Sequence, residues 1–349
     1  MRVNMPIRVA AVRLWLPSGY ETTDEAVQAG LVDAEAGAKD GYKALTVSDD
    51  LSAPEMAVLA VRDALEDAGV SPEQVGLVVH AWLYHQGHDF WSPAHYIAAM
   101  SGASRAVALG VQQMCNGGAA ALEVALARML SDPSLSNAVV TTADRFCPPG
   151  FDRWCDYGVA YGDGATALVL DRVAGPYEIL AVSTACAPGL EAMHRGDDEF
   201  SRAPRQHRDT IDIRRNKKIF MSNGGGPRFA HEAKAAVQAA IRGVLAEAGI
   251  ASDDPSVRYL ALPRLGSDLL EQAYIPAVAG LTGAEILDFG RETGHLGAGD
   301  AIANLADIHA FHRPRPGEIT LLVSAGAGFS WTCVAVRACA DDREPTAAA

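Results

Sequence analysis

Residues 60–82, AVRDALEDAGVSPEQVGLVVHAW, have a near twin at 240–263, AIRGVLAEAGIASDDPSVRYLALP. In each, apolar residues recur at helical spacing up to a glycine, Gly69 or Gly249. A polar loop containing a proline follows, and then a short β-branched and apolar strand. The two copies lie 180 residues apart. A second pair, AVVTTAD at 138–144 and TLLVSAG at 320–326, is offset by 182 and has the composition of buried strands. One matching helix arises easily by chance. Two matches at nearly one offset predict duplicated α/β halves, 1–173 and 174–349. The division falls near Ala174, where VLDRVAGPYEIL is broken by Gly-Pro.

The same offset carries Cys115 onto His295. ALGVQQMCNGGAAALEVALARML reads as a strand, then Cys115, then a helix opened by Asn-Gly-Gly. AEILDFGRETGHLGAGDAIANLADIHAF reads as a strand, a glycine turn with His295, then a helix. Halves packed about a pseudo-two-fold axis bring these two strand-to-helix turns face to face. A thiol at a helix N-terminus meets unpaired N–H groups and the positive end of the dipole, which stabilise thiolate. A histidine within reach serves as base. A carboxylate on the far side of the ring fixes its tautomer and stabilises imidazolium. Asp300, five residues after His295, supplies that carboxylate; taken alone it also reads as a first-turn cap. An oxyanion needs N–H donors, and Cys115 itself and the glycine turn in SAGAGFSW (324–331) offer them.

The remaining features narrow the function class. A net charge of −14 argues against nucleic acid as partner. The exception is RRNKK (214–218), read as a solvated loop or a landing site for an acidic or phosphate group. No apolar run reaches the roughly 20 residues of a membrane span, and the first residues lack a signal peptide's pattern, so a cytoplasmic protein is expected. Six cysteines without CxxC spacing give no zinc or thioredoxin pattern. His85 and His88, in WLYHQGHDFWSPAHYIAAM (82–100), lack a third ligand at helpful spacing, so no metal is expected. That segment reads as an aromatic-rich loop and helix near the substrate pocket or a dimer interface. DRFCPPGFDRWCDYG (144–158), with Phe151 and Trp154, reads as a pocket-wall or dimer loop.

These residues also carry a family likeness. VQQMCNGGAAALEVA (111–125), YGDGATALVLD (161–171), GHLGAGDA (294–301) and SAGAGFSW, in this order, resemble β-ketoacyl-acyl-carrier-protein synthase III of the thiolase superfamily. The resemblance spans nearly the whole chain. It implies a thiolase-like α/β fold of duplicated αβαβα layers and a homodimer. It implies Cys115 as acyl-accepting nucleophile, with the backbone N–H groups of Cys115 and Ala327 as oxyanion hole and Gly328 beside them. No bound cofactor is implied; an acyl-carrier-protein or coenzyme A thioester is the co-substrate.

Two departures alter the expected chemistry. Condensing members have a histidine in a Pro-His-Gln motif where LALPRLGS (260–267) places Arg264. They have an asparagine in a Gly-Asn turn where this chain has Gly294-His295. Those two residues stabilise the enolate formed when a malonyl unit decarboxylates, and arginine cannot act as a base at neutral pH. The pattern resembles instead the ketosynthase-III-like acyltransferases of antibiotic pathways. Those move malonyl or aromatic acyl groups onto a glycoside, an aminocyclitol or another carrier. His295, oriented by Asp300, is then the base that deprotonates the attacking alcohol, amine or thiol. Arg264, Trp154, Phe151 and Gly328 are expected near the substrate, Arg264 binding an anionic group or serving as a structural ion pair. The rival readings are a decarboxylating synthase, a non-catalytic partner subunit and a thioester hydrolase.

Overall fold

The computed structural model describes residues 1–340. The first half contributes strands β1 (Arg8–Trp15), β2 (Val75–Ala81), β3 (Val107–Val111), β4 (Asn137–Asp144) and β5 (Gly164–Asp171). The second contributes β6 (Tyr177–Cys186), β7 (Val257–Ala261), β8 (Glu285–Leu287), β9 (Ile319–Gly326) and β10 (Ser330–Ala338). They form one mixed sheet in the order β8-β7-β9-β10-β6-β1-β5-β4-β2-β3. Counted outward from the centre, each half runs first, fifth, fourth, second, third. The directions also agree: β2 is parallel to β3 and β4, as β7 is to β8 and β9. β1 and β6 meet antiparallel at the centre, with Arg8 opposite Glu178. The duplication read from two short repeats is therefore a duplication of topology.

The helices complete the layers. α1 (Ala53–Ala68) begins at a capping box between Ser52 and Glu55 and ends at Gly69 in the left-handed region. It covers β1 and β5. α2 (Pro93–Met100) lies beside β3 and β2. The counterpart of α1 in the second half ends at Gly249, also left-handed, and covers β6 and β10. Between the half-sheets run α3 (Gly117–Ser131) and its second-half equivalent, Asp300–Asp307, which pack on each other. Leu122, Leu126 and Met129 of α3 share a core with Ile302 and Leu305 and with Leu168 and Leu322 of the two half-sheets. Apolar burial of roughly 25 cal/mol per Å² holds this central layer, and with it the two helix starts that carry the site.

RRNKK is not a loop. It lies in α4 (Ile213–Ser222), which precedes α5 (Gly225–Ala248), the helix that ends at Gly249; the helix at Asp300–Asp307 is α6. Neighbours distant in sequence make α4 possible by pairing its charges: Arg215 with Asp197 at 2.7 Å, Lys217 with Asp156 at 2.6 Å. Among the described residues, no helix is long and apolar enough to cross a membrane.

Candidate active site

β3 runs into a tight turn before α3. Met114 adopts φ 50°, unusual for a residue with a side chain, and Cys115 follows it just ahead of the helix. The equivalent turn before α6 carries His295. The two turns touch: a Cβ on Gly118 would stand 2.5 Å from the Ala298 carbonyl oxygen. A third turn closes on them, the β9–β10 hairpin, where a Cβ on Gly326 would lie 2.5 Å from the Asn116 nitrogen. Only glycine permits either approach. The hairpin thus sets Ala327 against the cavity that Cys115 and His295 line.

His295 is held on three sides. Its backbone N–H donates to Ala160 O at 2.8 Å, and its carbonyl accepts from Gly162 N at 3.0 Å. Its Nδ1 donates to Asp300 Oδ2 at 2.6 Å, which leaves Nε2 for the Cys115 side chain. Burial opposes charge on the ring. The Asp300 carboxylate and Cys115 outweigh it and hold the imidazole well above its ordinary range. Burial also pushes the Asp300 carboxyl up. His295, Arg264 and the Leu296 N–H reverse that, and the carboxyl titrates below its ordinary range. The strand-side support comes from Asp163, fully buried, whose carboxylate accepts from Ser48 N at 2.9 Å and Phe146 N at 2.8 Å.

Beside this group lies a cavity of about 820 Å³ with largely aromatic and aliphatic walls, including Phe151, Phe229 and Phe329. Phe151 stands where the sequence reading placed it. Three other expected substrate contacts do not. Arg264 is fully buried and turned away from the cavity. Its guanidinium donates to Asn304 Oδ1 at 3.0 Å, Thr293 Oγ1 at 3.0 Å and Asp307 Oδ2 at 2.5 Å. It is the structural ion pair, not an anion site, because α6 presents two polar side chains to its back face. Its backbone N–H reaches Asp300 Oδ2 at 2.8 Å. Trp154 is buried in a separate small cluster with Tyr42 and Leu45, its indole N–H on Glu21. Gly328 is not part of the cavity wall, although Ala327 and Phe329 on either side are. Residues not singled out in sequence also face the cavity: Asp156, Tyr161, His194 and Tyr274. Lys217, one charge of the RRNKK run, joins them.

Residues 245–338 match the model of the 3-oxoacyl-[acyl-carrier-protein] synthase III C-terminal domain. The β-ketoacyl-[acyl-carrier-protein] synthase III of Listeria innocua is 25% identical over 299 residues, which is 83% of this chain and 84% of that protein. The structure of ChlB3, an acyltransferase, superposes with a TM-score of 0.86 at 29% identity, over 96% of this chain and 98% of that one. The 3-oxoacyl-[acyl-carrier-protein] synthase III of Aquifex aeolicus has the same fold, with a TM-score of 0.76 at 20% identity over 95% and 99% of the two chains. Matching topology, matching turns and these likenesses agree: the chain has the thiolase-like fold of the ketosynthase-III-like enzymes and matches the synthase III family over residues 245–338.

Proposed function

We propose that this protein is an acyltransferase working through an acyl-enzyme on Cys115, with His295 as proton carrier and Asp300 as its partner. The observation that carries the reading is the 2.6 Å His295–Asp300 contact in the cavity of Cys115, while Arg264 faces away. A carrier-protein or coenzyme A thioester donates the acyl group. The Cys115 thiolate attacks the thioester carbonyl, the backbone N–H groups of Cys115 and Ala327 receive the oxyanion, and His295 imidazolium protonates the departing thiol. Acylation removes the thiolate charge that favoured imidazolium. The neutral ring is then the base that takes the proton of an acceptor hydroxyl, amine or carrier thiol as it attacks the acyl carbon. Base catalysis of this kind contributes about 10²–10⁴-fold.

The likeness to ChlB3 supports acyl transfer. The placing of the protein in antibiotic biosynthesis, with a glycoside or aminocyclitol as acceptor, rests on the resemblance of its motifs. A homodimer is part of the proposal. It is supported by β3, which ends the sheet and exposes Val107 and Leu109 along an edge that a second copy can pair. A decarboxylating synthase is the second reading, favoured by the names of the sequence relatives. It needs a base or enolate partner at position 264, where the arginine points elsewhere. Intact mass after mixing with acyl thioesters tests the proposal. Wild type should gain one acyl group, Cys115→Ala none. His295→Ala should keep the adduct but fail to pass it on. Wild type that gains no adduct from any thioester would refute it.

A further inference from the structure

One wall of the cavity breaks its apolar lining. Asp156, with a side chain 1% exposed, accepts from Lys217 Nζ at 2.6 Å, Tyr157 N at 2.7 Å and Tyr161 Oη at 3.0 Å. Asp156, Lys217 and Tyr161 line the same cavity as Cys115. The Tyr161 ring stands edge-on to His295, centroids 5.4 Å apart, so this wall begins beside the proton carrier. His194 lines the cavity next to them. Burial and then the Lys217 charge push it down to about 4, so its ring is neutral.

Taking a lysine and an aspartate out of water costs more than an apolar pair of the same size would at this place. Sites built of apolar walls with a few placed polar groups use those groups to orient a ligand. The two charges cancel, so the pair itself suits an uncharged oxygen; Lys218, the next residue, also lines the cavity. Of the three ammonium donors of Lys217, the contact with Asp156 takes one. A further donor can meet an acceptor in the cavity.

Resting on the acyl-enzyme reading above, we propose that Asp156, Lys217 and Tyr161 form a recognition subsite for the acyl group. They hydrogen-bond an uncharged oxygen, a hydroxyl or ring carbonyl, on an aromatic acyl chain bound for Cys115.

The ion pair also ties α4 to the 151–161 loop, so a loss of rate alone would not separate recognition from structure; a ratio does. Single-turnover acylation of the full chain, read by intact mass, is compared for benzoyl-CoA, the three hydroxybenzoyl-CoA isomers and malonyl-CoA. At least one hydroxybenzoyl isomer should acylate wild type about tenfold faster than benzoyl, the worth of one hydrogen bond to a charged donor. Lys217→Met should bring the hydroxybenzoyl-to-benzoyl ratio near one, whatever happens to absolute rates, and Lys217→Arg should retain the preference. Equal rates for benzoyl and every hydroxybenzoyl isomer overturn the proposal. So does a ratio that survives Lys217→Met. Absence of any adduct with all five thioesters is a different failure: it removes the acyl-enzyme reading, and this proposal with it.

Discussion

Asp144 and Asp300 are both fully buried, and both reach the short turn between His295 and α6. Asp300 Oδ1 accepts from Leu296 N at 2.9 Å, and Asp144 Oδ2 accepts from Ala298 N at 3.0 Å. Each also holds the loop that follows the second strand of a half. Asp144 Oδ1 accepts from Leu83 N and Tyr84 N, both at 2.8 Å; Asp300 Oδ2 accepts from Arg264 N at 2.8 Å. Tyr84 and Arg264 are themselves related by the repeat of 180 residues. The acidities nevertheless move apart. Burial pushes Asp144 up to about 7, against the pull of its backbone donors. Asp300 feels the same burial and goes down, because His295 touches it and Arg264 lies close. At Asp144 the backbone donors and the more distant His295 charge do not offset burial; at Asp300 the cation in contact does. That difference separates a partner for imidazolium from a clamp on the turn.

The comparison breaks most easily at Asp300. Asp300→Asn keeps the shape and removes the charge, so transfer from a preformed acyl-enzyme should slow about 10³–10⁴-fold, as in triads that lose the correct tautomer. Asp144→Asn in the same chase should change the rate by far less. Equal losses would show that both carboxylates serve the chemistry alike. The next effect is on stability. Arg264→Met leaves Asn304, Thr293 and Asp307 without their donors and should cost about 3 kcal/mol in denaturant unfolding. If Arg264 were a substrate contact, the variant would instead raise KM and leave stability unchanged.

The smallest effect is a slope. Asp144 titrates at about 7 in the fold against an ordinary 3.8, so between those values the folded state binds the extra proton. Its contribution to stability is therefore full below pH 4 and is lost as pH rises through 7. Wild type should lose about 1 kcal/mol per pH unit from this group between pH 5 and 7, and Asp144→Asn should be flatter by that amount. A variant with the wild-type slope would mean that Asp144 is ionised throughout.

Much of the architecture was legible because a repeat needs no knowledge of packing. Gly69 and Gly249 end equivalent helices, and the offset alone paired the Cys115 turn with the His295 turn. The sense of individual side chains was not legible. Arg264 follows β7 beside the site, yet its direction is set by Asn304 and Asp307, about 40 residues on and visible as partners only once α6 packs. Trp154 looked like a pocket aromatic from its neighbours Phe151 and Cys155, but it turns to Glu21 of the N-terminal segment. RRNKK shows no apolar stripe wide enough to announce a helix, because α4 is held by ion pairs to Asp156 and to Asp197 and Asp198. Asp156 and Lys217, distant in sequence, meet only through that helix.

The sharpest measurement starts from an acyl-enzyme formed on Cys115 and chases it with carboxyl-labelled malonyl-CoA. The expected result is that the label stays in malonyl-CoA and no β-ketoacyl product forms, while pantetheine thiol discharges the same acyl-enzyme. Release of labelled carbon dioxide, matched by a β-ketoacyl thioester, would contradict acyl transfer without condensation.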